Sequence, residues 1–135
     1  MSEQKTLLIA DFDKGGRKGT EIALWDFDHV NILSAKTAEE ALAIIEGEQT
    51  PDLVVVDPMN DIRFNKPIER NEGSFGVMTN AVARGVKVLI ITSIPESVER
   101  KLEELEMQNS HEGIVQKGTG AYDGIREAVS KVLGD

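Results

Sequence analysis

The stretch Leu53-Val54-Val55-Val56-Asp57 is a continuous apolar run that ends on an acid. Four apolar residues in a row, three of them β-branched, are typical of a strand buried on both faces of a parallel sheet. In such a sheet the ligand crevice lies beyond the carboxyl ends of the strands. The stretch therefore predicts an α/β fold with Asp57 at the edge where a functional site would form.

Three further strand-like segments end on residues that carry chemistry. They are Leu7–Ala10 before Asp11, Val88–Ile91 before Thr92, and Gly113–Gln116 before Lys117. Because the carboxyl ends of parallel strands meet at one edge, these groups are expected to converge although they are far apart in sequence. Two acids, a hydroxyl and an amine are the groups that phosphoryl chemistry on an aspartate requires.

Helix patterns stand between the strand patterns. They cover about 38 to 46, about 76 to 84, about 95 to 108, and a last apolar stripe from Tyr122 to Leu133. Thr37 and Glu40 form a capping box before the first of these helices. Met78, Met107 and Tyr122 lie on apolar stripes and are expected in the core. Strands that alternate with helices five times predict a doubly wound, five-stranded parallel sheet with helices on both faces.

Two stretches fit this alternation poorly. The run from Gly15 to Gly19 is a weak helix former, so a loop is expected there, followed by a short helix over about 20 to 27. Trp25 would cover the core beneath that helix. Residues 58 to 75 show no period and carry Pro, Asn and Gly, which predicts a long loop beside Asp57.

Composition limits the classes of function. A chain of 135 residues suits a single domain over 1–135, with no attached effector domain. A net charge of −9 argues against direct nucleic-acid binding. No apolar run approaches the ~20 residues that cross a bilayer, no signal peptide is visible, and there is no cysteine for disulfides or thiolate metal sites. We therefore expect a cytoplasmic protein without direct membrane contact.

The chain resembles the receiver domains of two-component response regulators over essentially its whole length. The segments that carry this resemblance are Leu8-Ile9-Ala10-Asp11, Ser34-Ala35-Lys36-Thr37-Ala38-Glu39-Glu40-Ala41-Leu42, Pro51-Asp52-Leu53-Val54-Val55-Val56-Asp57, Ile90-Ile91-Thr92-Ser93 and Gln116-Lys117-Gly118. Their order and spacing together are specific. The resemblance implies a flavodoxin-like sheet with strand order 2-1-3-4-5, which sets the strands of Asp11 and Asp57 side by side.

The resemblance also implies a function and a set of roles. Asp57 would accept a phosphoryl group from a histidine kinase or phosphotransfer protein, and the phosphorylated chain would bind a downstream partner protein. Asp11, Asp57 and the backbone carbonyl of Met59 would hold Mg²⁺, which cancels the repulsion between the carboxylate and the phosphoryl donor. Lys117 would contribute a positive charge to the phosphoryl oxygens, and Thr92 a hydroxyl.

Two of the departures from the receiver pattern bear most directly on the function. Receivers usually have two adjacent acids at the end of strand one, but here Phe12 follows Asp11 and the next acid is Asp13. Asp13 would share the side of Asp11 if the backbone stayed extended, so we expect weak Mg²⁺ binding with Asp13 as a further ligand. Ile114 stands where receivers usually carry an aromatic residue that reports phosphorylation.

These departures leave two alternatives open. Phe12 and Ile114 are consistent with a degenerate receiver that binds partners without phosphorylation. The stretch from Asp11 to Asp13 also resembles the first motif of haloacid dehalogenase-like phosphohydrolases, with Asp11 as nucleophile and Asp13 as acid and base. That second alternative leaves the Asp57 strand unexplained. On the leading interpretation the chain is not an enzyme, beyond its own phosphorylation from phosphodonors.

Overall fold

The computed structural model describes residues 4–27, 30–59, 61, 68–118 and 121–134. In these residues strands and helices alternate. The strands are β1 (Lys5–Ala10), β2 (Val30–Ala35), β3 (Leu53–Val56), β4 (Lys87–Thr92) and β5 (Ile114–Gln116). The helices are α1 (Lys14–Leu24), α2 (Ala38–Ile45), α3 (Gly73–Ala83), α4 (Pro95–Glu104) and α5 (Ala121–Leu133). Within the described ranges, no helix is both long and apolar enough to span a bilayer.

The strands form one parallel sheet in the order β2-β1-β3-β4-β5. This is the predicted doubly wound architecture, and the predicted strand order is confirmed. In the register of β1 and β3, Ala10 lies opposite Val56. Asp11 and Asp57 directly follow this pair, so their backbones leave the sheet side by side.

Two apolar clusters cover the two faces of the sheet. Alternate residues of β1 divide between them: Leu7 and Ile9 face α1 and α5, whereas Leu8 faces α2, α3 and α4. This division follows from the two-residue period of a strand. Met78 and Met107 lie in the cluster that contains Leu8, as predicted.

The prediction for α1 was wrong. The expected loop over Gly15–Gly19 is helical, and the helix runs from Lys14 rather than from residue 20. Asp13 supplies the missing start signal, because its Oδ2 accepts a hydrogen bond from the amide of Gly16 at 2.8 Å. Of these glycines, Gly16 is required by close packing against the residues at the sheet edge.

Two aromatic residues also lie where the sequence did not place them. Trp25 caps the end of α1 and is 78% exposed, so it does not cover the core. Tyr122 is 49% exposed, so it is not a core filler. In both cases the stripe of the helix is completed by smaller apolar neighbours, such as Leu24 and Ile125, which are buried.

The remaining helix boundaries differ from the predictions by a few residues. Thr37 caps α2 as expected, through the amide of Glu40 at 3.1 Å. Helix α3 begins at Gly73, so the predicted loop of 58 to 75 ends before that residue. Within this stretch Met59 and Asp61 are also helical, which the prediction missed, and positions 60 and 62–67 lie outside the described residues. Helix α4 ends at Glu104 because Glu106 adopts a left-handed conformation, with φ of 58°.

Candidate functional site

Asp11 and Asp57 lie next to each other at the carboxyl edge of the sheet. The amide of Asp57 donates to the carbonyl of Ala10 at 3.3 Å, which continues the pairing of β1 and β3 up to the acids. Both residues are almost completely buried, with 2% of Asp11 and 4% of Asp57 exposed. Two adjacent buried carboxylates repel each other unless a cation lies between them or one of them is protonated.

Lys117 supplies that cation. Its Nζ donates to Asp11 Oδ2 at 2.8 Å and to Asp57 Oδ2 at 2.7 Å. The backbone of Lys117 is held in turn, because its amide donates to the carbonyl of Thr92 at 2.8 Å. The predicted convergence of β1, β3 and β5 ends is therefore present as an ion triad of Asp11, Asp57 and Lys117.

The other carboxylate oxygens of the triad accept backbone hydrogen bonds. Asp57 Oδ1 accepts from the amide of Met59 at 2.9 Å, and Asp11 Oδ1 accepts from the amide of Asp13 at 3.1 Å. Each carboxylate is thus fixed through both oxygens. A group held in this way is oriented before any ligand arrives.

Burial and neighbouring charges shift the two titrating groups of the triad. Burial raises the pKa of Asp57, as does the charge of Asp11, and together they outweigh the bonds to Lys117 and Met59 that lower it. Burial alone would lower the pKa of Lys117, but its hydrogen bonds to Asp11 and Asp57 and their charges raise it above the usual lysine value. The ammonium therefore stays charged at neutral pH.

Gly16 lies against the triad and is a residue of the site that was not predicted from the sequence. A Cβ at this position would lie 2.4 Å from Asp11 Oδ2 and 2.9 Å from Lys117 Nζ. Helix α1 can approach the triad this closely only with glycine at this point. The signal in the sequence was the Gly15-Gly16 pair at a place where the alternation required a helix.

Thr92 is completely buried at the end of β4. Its Oγ1 accepts a hydrogen bond from the amide of Ile94 at 3.1 Å, which holds the turn before α4. The neighbouring Ser93 hydroxyl donates to the sulfur of Met59 at 3.0 Å. The structure thus joins the turn after β4 to the turn after Asp57.

The side chains of Asp13 and Phe12 make their contacts outside the triad. The Asp13 carboxylate is exposed and accepts the capping bond of α1, whereas Phe12 packs against the apolar cluster on the α2 face. Across the described ranges, no three His, Cys, Asp or Glu side chains are grouped so that they could hold a metal ion. The side-chain oxygens that contact Lys117 Nζ belong to the carboxylates of Asp11 and Asp57. This set suits a hard divalent cation in kind, but it provides only two carboxylates.

Several solved structures with the same architecture are response regulators. The regulator TrrA from Thermotoga maritima, in complex with Mg²⁺ and BeF, superposes with a TM-score of 0.69 at 20% identity, over 96% of this chain and 99% of that chain. The chemotaxis regulator CheY4 of Vibrio cholerae gives 0.67 at 18% identity, over 96% and 99%. The receiver domain of the Francisella response regulator 1452 gives 0.65 at 17%, over 96% and 97%.

The chain has the receiver-domain fold. No protein-family model and no curated protein matches the sequence. At such low identity the likeness establishes the architecture alone, so any role of the receiver-type triad has to be argued from its own geometry.

Proposed function

We propose that this chain is a phosphoacceptor receiver of a two-component system, modified on Asp57 and signalling in the cytoplasm through contacts with another protein. The observation that carries the proposal is the position of the Asp57 carboxylate, held at 2.7 Å by Lys117 beside a second carboxylate at the carboxyl edge of the sheet. A structural ion pair would need only one acid for one lysine. The additional buried carboxylate leaves a net negative charge, which is suited to binding a cation or a cation-bearing phosphoryl donor.

The proposed reaction is transfer of a phosphoryl group from a phosphohistidine of the kinase or phosphotransfer protein. One carboxylate oxygen of Asp57 forms a bond to phosphorus while the P–N bond of the donor breaks. The bonding pair returns to the imidazole nitrogen, which takes up a proton. An acyl phosphate on Asp57 and a free histidine on the donor are the products.

Lys117 has a different task before and after transfer. In the resting site it holds the Asp57 carboxylate in place through Oδ2 and shares its charge with Asp11. After transfer the phosphoryl oxygens carry the larger negative charge, and the ammonium is within reach of them. Lys117 would then exchange its bond to Asp57 for a charge-assisted bond to the phosphoryl group.

A divalent cation would be held by Asp11, Asp57 and the carbonyl of Met59. When bound it would neutralise charge on the phosphoryl oxygens as they approach the carboxylate. We propose that its binding is weak, because Asp13 caps α1 and Phe12 packs on the core, so the third carboxylate of the usual set is engaged elsewhere. The ammonium of Lys117 already neutralises part of the negative charge of Asp11 and Asp57 that would attract the cation.

The haloacid dehalogenase-like alternative fits the site less well. That chemistry would use Asp13 as acid and base toward a group on Asp11. The Asp13 carboxylate is committed to the amide of Gly16, and moving it would uncap the helix. Asp57, which shares Lys117 equally with Asp11, would have no part in that reaction.

Intact-mass measurement tests the proposal. The chain is incubated with Mg²⁺ and a small phosphodonor such as acetyl phosphate, alongside Asp57→Asn and Asp11→Asn. We expect one added phosphoryl mass in the wild type and none in Asp57→Asn. Labelling that persists in Asp57→Asn and disappears in Asp11→Asn would assign the nucleophile to Asp11 instead. No labelling of a folded wild type would favour the receiver that binds partners without phosphorylation.

A further inference from the structure

Three cationic side chains meet at the amino edge of the sheet, opposite to the edge that carries Asp57. Lys5 begins β1, Lys87 begins β4, and Arg84 lies in the turn that joins α3 to β4. All three line one pocket of about 260 Å³, between the starts of the strands and the end of α5. Because Lys5 and Asp11 are six residues apart along β1, the pocket lies ~20 Å from the phosphoacceptor edge.

The two lysines lie on the same face of the sheet. Lys5 is two residues before Leu7 and Lys87 is two residues before Leu89, and both leucines belong to the apolar cluster beneath α1 and α5. Only β3 separates β1 from β4, which sets the two strands about 10 Å apart. Since lysine carries its charge on a flexible four-carbon stem, both ammonium groups can approach one anion across this gap.

The charges of the three cationic side chains are not paired within the part of the chain that the structure describes. None of the three forms an ion pair with a described acid. Arg84 Nε donates to Asn80 Oδ1 at 3.2 Å, and neither terminal nitrogen of the guanidinium has an acceptor among the described residues. Lys87 Nζ makes one long contact, of 3.4 Å, to the carbonyl of Val132. Most of the donors around the pocket are therefore left for a ligand or for water.

The acids near the pocket are engaged elsewhere. Asp52 is part of the lining, and its Oδ2 accepts from the amide of Thr6 at 2.8 Å. Glu46 accepts from the side-chain amide of Asn80 at 3.0 Å. Three positive charges and one negative charge give the lining a net charge of +2, although the whole chain carries 24 acids against 15 Lys and Arg residues. Like charges gathered in this way repel each other, and a bound anion relieves the repulsion.

We propose that this pocket binds a small phosphorylated molecule, with its phosphate between Lys5, Arg84 and Lys87. A phosphate monoester carries about −1.5 to −2 charges at pH 7, which matches the net charge of the lining. A guanidinium binds phosphate oxygens through two parallel hydrogen bonds, and ammonium groups bind them as point charges. The lining also includes the apolar residues Pro51 and Val86, which the organic part of the ligand can contact. Because the pocket is smaller than those that hold drug-sized ligands, that organic part is small.

Asp52 gives the site a variant with a predicted gain of affinity. An anion held by both Lys5 and Lys87 spans the start of β3, and Asp52 directly precedes that strand. Its negative charge opposes the ligand, while its oxygen holds the amide of Thr6. Asp52→Asn keeps an acceptor for this amide and removes the charge, so it should tighten binding of the anion.

Titration of the full chain with sodium phosphate and with glycerol 3-phosphate, followed by amide chemical shifts at constant ionic strength, tests the proposal. We expect saturable shifts at Gly85 and Lys87, with a dissociation constant of about 1 mM or less for glycerol 3-phosphate. Arg84→Gln and Lys87→Gln should each raise that constant at least ~10-fold, because each removes a charge-assisted hydrogen bond. The control is Lys36→Gln, which removes the same charge from an exposed residue at the opposite edge of the sheet and should leave the affinity unchanged.

The titration contains no phosphodonor, so its outcome does not depend on phosphorylation of Asp57, and Asp57→Asn should bind both probes as the wild type does. Shifts that never saturate with either probe would overturn the proposal. Equal affinities in Arg84→Gln, Lys87→Gln and Lys36→Gln would overturn it as well, because binding would then occur at another place. If succinate, a dicarboxylate of similar size, bound as tightly as glycerol 3-phosphate, the assignment to phosphorylated ligands would be wrong.

Discussion

At the scale of single residues, the site depends on how closely α1 approaches the ion triad. Gly16 is the point of contact, since a Cβ there would overlap Asp11 Oδ2 and press on Lys117. Gly15, the preceding residue, has room for a Cβ, with its nearest neighbour at 3.4 Å. The contact with the triad therefore requires glycine at position 16 and not at position 15, although the two residues are adjacent on the same helix.

This difference gives the first prediction. Gly16→Ala should slow phosphorylation by small phosphodonors at least ~10-fold, because the methyl group displaces Asp11 and Lys117, and lost orientation at a reacting site costs at least this much. Gly15→Ala is the matched control and should leave the rate unchanged while it stabilises α1 by up to ~1 kcal/mol. The measurement is the rate of the phosphoryl mass increase. Equal rates in the two variants would show that Gly16 does not position the triad.

The charge balance of the triad gives the second prediction. Because burial raises the folded-state pKa of Asp57, ionised Asp57 lowers the free energy of unfolding at neutral pH. This penalty is complete at pH values above the folded-state pKa of Asp57. It disappears at pH values below the unfolded-state pKa, where Asp57 is protonated in both states. Asp57→Asn carries no such charge. It should therefore raise the free energy of unfolding at pH 7, and the gain should shrink as the pH falls below the usual range of aspartate pKa values.

Urea denaturation at a series of pH values measures this gain, with Asp52→Asn as a control at an exposed carboxylate. A gain from Asp57→Asn that is independent of pH, or a loss of stability at pH 7, would contradict the assigned charge balance.

At the scale of elements, Asp13 decides where α1 starts. Asp13→Ala should lower the free energy of unfolding by about 1 kcal/mol, because the amide of Gly16 loses its capping acceptor. Asp13→Asn keeps an acceptor oxygen without the charge and should restore most of that stability. Mg²⁺ titration by chemical shifts should give nearly equal affinity for both variants and the wild type. A large loss of affinity in Asp13→Asn would make Asp13 a metal ligand after all.

The elements also show what the sequence could and could not predict. The strand order followed from the resemblance to receiver domains. The meeting of Asp11, Asp57 and Lys117 followed from apolar runs that end on polar residues, because the ends of parallel strands share one edge. The start of α1 did not follow, since Gly16 is required by a contact with residues distant in sequence. The exposure of Trp25 did not follow either, because the helical period shows which face of α1 is apolar and not which of its large side chains a neighbour covers.

At the scale of the whole molecule, Thr92 links the acceptor edge to the start of α4. Its hydroxyl accepts a hydrogen bond from the Ile94 amide in the resting structure and can at the same time donate its own proton to a phosphoryl oxygen. A shift of the hydroxyl toward that oxygen would therefore carry the bonded Ile94 amide with it. The turn before α4 would rearrange with it. With beryllofluoride and Mg²⁺ bound, we expect the amide resonance of Ile94 to shift in the wild type and in Thr92→Ser. Thr92→Val, which keeps the shape but lacks the hydroxyl, should bind the mimic without that shift.

A shift of Ile94 that persists in Thr92→Val would mean that the acceptor edge reaches α4 by another route, such as the contact between Ser93 and Met59.

Locating the phosphoryl group on the wild-type chain tests the central claim most directly. After treatment with acetyl phosphate and Mg²⁺, borohydride reduces an acyl phosphate on an aspartate to homoserine, and peptide fragmentation then locates the homoserine. We predict homoserine at position 57 and unmodified aspartate at positions 11 and 13. Homoserine at position 11, or a folded chain with none at all, would contradict the account.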